Sequence, residues 1–225
     1  MTDPNAGLTV RHGHKPVFEH ILLIRSVILA IGLAALIRGV TAFVAIDKAA
    51  LSLTQVIWTV TSFLLVVQSL WGTYKISRQV KGWAGSLFLL LIIQSATLSL
   101  SCSLLYPEPL LRQLSDPNVG GLPEMSATAF QRNRIVFLSG LAAYLSFTFI
   151  SQLYMPVVRL LTGQNFLRVF GVLQVSAAIF LDDPNSQVFL ATTVLATLIG
   201  FIVFDDKSMG EASEDSLPVE QKPTG

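Results

Sequence analysis

Chemically versatile residues are scarce in this 225-residue chain, which has one cysteine, three histidines and only 13% charged residues. A lone cysteine, Cys102, permits no intrachain disulfide and no cysteine-rich zinc site. His12, His14 and His20 all fall near the N-terminus, too clustered to hold a metal between distant elements. There is no glycine-rich phosphate loop, HExxH pair or Ser-His-Asp arrangement. The residue pattern therefore gives no argument for an enzyme and calls for no cofactor. Fifteen Lys and Arg residues against 14 Asp and Glu leave a formal net charge of +1. That balance supplies no basic field for nucleic acid.

Hydrophobic residues make up 52% of the chain, and its mean hydropathy is +0.63. Soluble domains carry about 25% charged residues, roughly twice the proportion found here. Apolar runs of about 20 residues recur, the length a helix needs to cross ~30 Å of hydrocarbon. The expected fold is an all-α, polytopic transmembrane helix bundle whose main partner is the lipid bilayer.

Runs bounded by charge, Pro or Gly give six spans near 18–46, 53–75, 84–106, 133–161, 165–182 and 186–205. The transmembrane domain thus covers 18–205, between an N-terminal segment at 1–17 and an acidic tail at 206–225 that is expected to be disordered. The apolar stretch that follows residue 17 is too long for a signal peptide, so the first span is expected to be retained. The fifth run is the weakest, because Arg168 and Gln174 shorten its apolar core and leave a partly re-entrant segment as an alternative.

Basic residues set the expected orientation. Arg11 and Lys15, then Lys75, Arg78 and Lys81, then Arg159 and Arg168 fall on one side if all six segments span. Both termini are then cytoplasmic, in an inner membrane. The one long connection, 107–132, faces outward and is rich in turn-forming Pro, Gly, Asn and Asp.

The first span, "FEHILLIRSVILAIGLAALIRG", places Arg25 inside its apolar run. At about 100° per residue, Gly32 lies about 20°, Gly39 about 40° and Ala35 about 80° from Arg25 around the helix. Small residues mark close packing between membrane helices, so Arg25 is expected to point into the bundle. Charge at that depth costs ~2.5 kcal/mol or more and calls for a partner. Gln68, Gln94, Gln152 and Gln174, hydroxyls, backbone carbonyls, a lipid phosphate and an anionic ligand are the available acceptors. Snorkelling to the headgroups is the alternative.

Arg25 heads a set of candidate contacts to a solute or a lipid headgroup. Glu19 and His20, at the same end of the helix, either relay protons or simply mark the helix start. In the third span Gln94, Thr97 and Ser101 share a helical face, as do Ser95, Ser99 and Cys102, lining an aqueous path or binding helix to helix. Tyr144, Thr148 and Ser151 share a face of the fourth span. In "LDDPNS", Asp183 and Pro184 fit an N-cap and first helical residue better than a metal site. Trp58 and Trp71 suit the aromatic belts at the two membrane surfaces.

"FEH" leading into "AIGLAALIRG", "FLLVVQSLWG" and "AFQRNRIVFLSG" together resemble a broad set of uncharacterised bacterial six-span inner-membrane proteins. The resemblance covers about two thirds of the chain. It implies the fold and carries no activity or site residue with it. Two functions fit the sequence. One is a small transporter or channel subunit for a polar or anionic solute, oligomeric because six short helices enclose little volume. The other is a non-transporting scaffold or accessory subunit of a membrane complex, packing its small-residue faces on a partner.

Overall fold

The computed structural model describes residues 15–44, 52–79, 85–106, 122–153 and 163–214. These residues form six helices and no strand: α1 Lys15–Val44, α2 Leu53–Gln79, α3 Gly85–Leu105, α4 Leu122–Leu153, α5 Gly163–Phe180 and α6 Pro184–Glu214. Five of them are long and apolar enough to cross a membrane; α5 offers a shorter apolar stretch, Phe166–Phe180. The chain is a multi-pass membrane protein built as a helical bundle.

Local signals explain where several helices begin. Ser52 and Gln55 form a reciprocal capping box at the start of α2: the Gln55 amide donates to Ser52 Oγ (3.3 Å), while Ser52 N–H and Oγ–H donate to Gln55 Oε1 (3.3 and 3.2 Å). Asp183 caps α6, its Oδ2 accepting from the Ser186 amide at 2.9 Å and from the Ser186 hydroxyl at 3.0 Å. Across the same turn, the Gln187 amide nitrogen donates to the carbonyls of Ala178 (2.7 Å) and Leu181. One side chain of α6 thereby satisfies acceptors that the end of α5 would otherwise leave open.

Two boundaries differ from expectation. The fourth helix starts at Leu122, eleven residues before the expected 133, because Pro123 and Glu124 suit a first helical turn and the connection was read only as turn-forming. The last helix runs on to Glu214, into the tail expected to be disordered, since extending a nucleated helix costs far less than starting one. Residues 1–14, 107–121, 154–162 and 215–225 of the expected N-terminal segment, external loop, fourth-span end and tail lie outside the described residues.

The helices close into a ring in the order α1, α3, α4, α5, α6, α2, and α2 also touches α3. Apolar side chains from all six fill the centre, among them Leu29, Trp58, Leu98, Phe137, Val175 and Val194. Trp58 is fully buried and meets Phe137 edge-on, ring centres 5.6 Å apart. Its expected place in an aromatic belt is therefore overturned: the α2 face bearing Trp58 turns inward, whereas Trp71 is about half exposed. The outer surface is apolar, with Leu23, Ile31, Phe63, Leu89, Phe166 and Phe189 all exposed. An outward face of that kind suits lipid and would be an aggregation hazard in water.

Helix α1 meets α3 along its small residues. A Cβ on Gly32 would lie 2.8 Å from Ser99 Cα, and one on Gly39 would lie 2.2 Å from the Tyr106 ring. Such contacts let the backbones approach closely where the hydrophobic effect does not drive helices together. They also fix the rotation of α1, and with it the direction of Arg25.

Candidate functional site

Arg25 lies six residues inside the apolar span Glu19–Ala42, ~9 Å of helical rise. It is 2% exposed, so its side chain turns into the bundle instead of snorkelling outward. Its Nε donates to Ser95 Oγ on α3 (2.8 Å) and its Nη2 to Ser69 Oγ on α2 (2.8 Å). Ser95 passes its own proton to the Leu91 carbonyl at 2.9 Å and so presents a lone pair to the guanidinium. Nη1 is buried without an acceptor.

The cluster continues onto α4. Buried Tyr144 sits within the field of Arg25, and its hydroxyl engages the side chains of Ser69 and Thr148. The Thr148 hydroxyl donates to the Tyr144 carbonyl (2.9 Å) and accepts from Gln94 Nε2 on α3 (2.6 Å). Gln94 Oε1 is buried and has no donor. Four helices thus contribute Arg25, Ser69, Gln94, Ser95, Tyr144 and Thr148 to one buried polar cluster.

That cluster contains a cation and no carboxylate. Among the described side chains, Glu19 is exposed, Asp183 caps α6, and Asp182 pairs with Arg134. Arg134 is also 2% exposed; it holds Asp182 through Nη2 and Gln131 Oε1 through Nη1 (2.9 Å). Forty-eight residues separate the partners, so no local pattern in the sequence signals this pair.

The candidate contacts divide clearly. Arg25 and Gln94 come together in the cluster through Tyr144 and Thr148. Thr97 donates to the carbonyls of Ile93 (2.7 Å) and Gln94 (2.9 Å), and Ser101 donates to the Thr97 carbonyl (2.8 Å). Ser101 also packs against Gly140, where an added Cβ would lie 2.4 Å from its Oγ. The Thr97 hydroxyl thus bonds within α3, and the Ser101 hydroxyl lies at the α3–α4 contact. Glu19 and His20 are exposed, away from the buried cluster.

Among the described side chains, Arg25 makes no direct bond to Gln68, Gln94 or Gln174: Gln94 serves Thr148, Gln174 accepts from Thr197 (3.1 Å) and Gln68 is half-buried, while Gln152 lies outside the described side chains. Ser69 takes the place expected of Gln68, about 100° further around the helix. A buried serine is an ordinary helix-packing residue in sequence, and only the three-dimensional register of α2 singles it out. Among the described residues, no group of three or more His, Cys, Asp or Glu side chains could hold a metal.

No protein-family model, curated protein or solved structure matches the chain.

Proposed function

We propose that the protein is a six-span inner-membrane protein with both termini in the cytoplasm, acting as a small transporter or channel subunit for a polar or anionic solute. The single observation that carries this reading is buried Arg25, whose Nη1 has no acceptor and whose cluster contains no carboxylate. A charge is costly at this depth and is normally neutralised or functional. An incoming anion would supply the missing acceptor. Ser69 and Ser95 hold the guanidinium ready for it, which lowers the ordering cost of binding.

A second reading, a non-transporting scaffold or accessory subunit, draws support from Trp58 and Phe137. They fill the half of the bundle nearer the connection between α1 and α2. Transport would require α2 and α4 to part there.

Flux separates the two readings. Proteoliposomes containing the full chain should exchange labelled inorganic phosphate, acetate or lactate, and Arg25→Gln should abolish that exchange. Absence of flux for all three, or equal flux in the variant, would overturn the transport reading. A reporter fused to the C-terminus should be cytoplasmic; an external reporter would mean that α5 does not cross.

A further inference from the structure

Two helices in hydrocarbon gain little from apolar contact with each other, because lipid tails offer both of them an equally apolar surface. Close backbone approaches and hydrogen bonds therefore mark which helices hold together most firmly. By that criterion α1 to α4 form one body. Arg25 of α1 donates to Ser69 on α2 and Ser95 on α3 (both 2.8 Å), Thr59 on α2 meets the hydroxyl of Tyr106, just past α3 (2.7 Å), and Gln94 on α3 donates to Thr148 on α4 (2.6 Å). The close glycine contacts belong to the same body: Gly32 and Gly39 of α1 lie against Ser99 and Tyr106, and Gly140 of α4 against Ser101.

Helices α5 and α6 form a second body, a hairpin closed on itself. At its turn the Gln187 amide reaches the carbonyls of Ala178 (2.7 Å) and Leu181. Further along, Thr197 donates to Gln174 (3.1 Å), and the Arg168 guanidinium lies 4.5 Å from the centre of the Phe201 ring. The hairpin seats on the first body through apolar side chains, among them Val175, Ala178, Val194 and Leu198. A polar tie crosses this junction at the turn, where Asp182 accepts from Arg134 Nη2 on α4. The pair is lopsided: side-chain exposure is 3% for Arg134 and 92% for Asp182. Asp182 can therefore exchange its partner for water, while Arg134 stays in place against Gln131.

We propose that the α5–α6 hairpin moves as a rigid unit against α1–α4, and that Arg134 and Asp182 are the latch that holds the closed arrangement. Parting the junction breaks the ion pair and otherwise uncovers apolar surface that lipid can cover. Movement within either body would instead break buried hydrogen bonds that lipid cannot replace. Rigid bodies that part at a weakly held junction are a common form of conformational change. This movement is expected whether or not a solute crosses the membrane, so it stands apart from the transport reading.

Distances between paired spin labels, measured on the full chain in phosphatidylcholine nanodiscs, test this directly. Ser139→Cys on α4 with Phe189→Cys on α6 reports on the junction. Ile31→Cys with Ser139→Cys is the control within the first body, and Leu173→Cys with Phe189→Cys the control within the hairpin; all four positions are exposed, and native Cys102 is buried away from the label. With the latch intact, the junction pair should already give a wider distance distribution than either control. Asp182→Asn should raise the odds of the open arrangement by about threefold to tenfold, the effect of an ion pair with one partner in water and one buried. Both control distances should stay unchanged, and Asp182→Glu, which keeps the carboxylate, should restore the original distribution.

A junction pair as narrow as the controls, no gain of the open arrangement in Asp182→Asn, or equal broadening of all three pairs would overturn the proposal. The comparison of widths with the latch intact decides the matter even if Asp182→Asn fails to fold. A moving junction without flux would uphold the latch and leave the transport reading to fail alone. Flux through a protein whose junction stays fixed would do the opposite.

Discussion

Replacing Gly39 by Ala is a one-carbon change whose sign depends on the tertiary structure. In an isolated helix it should stabilise by up to ~1 kcal/mol, because glycine pays more backbone entropy. In this bundle the new Cβ would lie 2.2 Å from Tyr106 Cγ, 2.3 Å from Cδ2 and 2.7 Å from Cβ. Carbon atoms pack at ~3.5–4.0 Å, so the ring or the whole α1–α3 pair must withdraw by more than ~1 Å. The contact reaches the root of the Tyr106 side chain, and a swing of its far end cannot relieve it.

Tyr106 is 2% exposed and its hydroxyl is tied to Thr59 Oγ1 at 2.7 Å, so withdrawal strains both the packing and that hydrogen bond. Overpacking of this kind costs ~1–3 kcal/mol, and a weakened hydrogen bond ~0.5–1.5 kcal/mol. After the propensity gain, Gly39→Ala should destabilise by about 1–3 kcal/mol. Gly72→Ala and Gly200→Ala are internal controls, because nothing lies within 4 Å of a Cβ at either position. Reversible unfolding in mixed dodecyl maltoside and dodecyl sulfate micelles, followed by circular dichroism, would compare them. If Gly39→Ala proved as stable as Gly72→Ala, the close α1–α3 contact and the rotation it imposes on Arg25 would both be refuted.

Ser95→Ala should destabilise the unliganded protein by ~1–3 kcal/mol, since it strips the buried Arg25 Nε of its acceptor. In an Arg25→Met background the same change should be nearly neutral, and unfolding of the four proteins should show a coupling above ~0.5 kcal/mol; simple additivity would contradict the bond. Asp183 lies in the turn between α5 and α6, where the Ser186 amide, and then the Ser186 hydroxyl, hold its carboxyl below the ordinary 3.8. A depressed folded value means that the cap's contribution is complete above the unfolded value and fades as pH falls through the folded one. Melting temperatures measured between about pH 6 and about pH 2.5 should therefore decline less in Asp183→Asn than in the unaltered protein, and identical profiles would rule the cap out as a source.

Much of the architecture could be read from periodicity, because a helix in hydrocarbon must satisfy its backbone internally and present about 20 apolar residues. That requirement acts on each segment separately, so α1, α2 and α3 were expected close to where they lie. The stripe of Arg25, Gly32 and Gly39 was also legible, since all three belong to one helix and one wheel. Arg25 turns inward and the two glycines meet α3. The start of α4 was hidden for a local reason: Pro, Gly and Asn residues upstream drew attention from Pro123, which suits a first turn.

The tertiary structure alone decided what Arg25 touches. Ser69, Ser95 and Tyr144 come from three other helices, and nothing in a run of apolar residues states how far each helix is rotated about its axis. A shift of one residue turns a side chain by about 100°, the difference between Gln68 and Ser69 as partner. The same rotation buried Trp58 instead of placing it at a membrane surface, and brought Arg134 to Asp182. Composition and periodicity determined that the chain is a bundle of apolar helices with a cation in its first span. Which polar atoms of the Arg25 cluster are satisfied, and which remain open, depended on how six separately stable helices pack together.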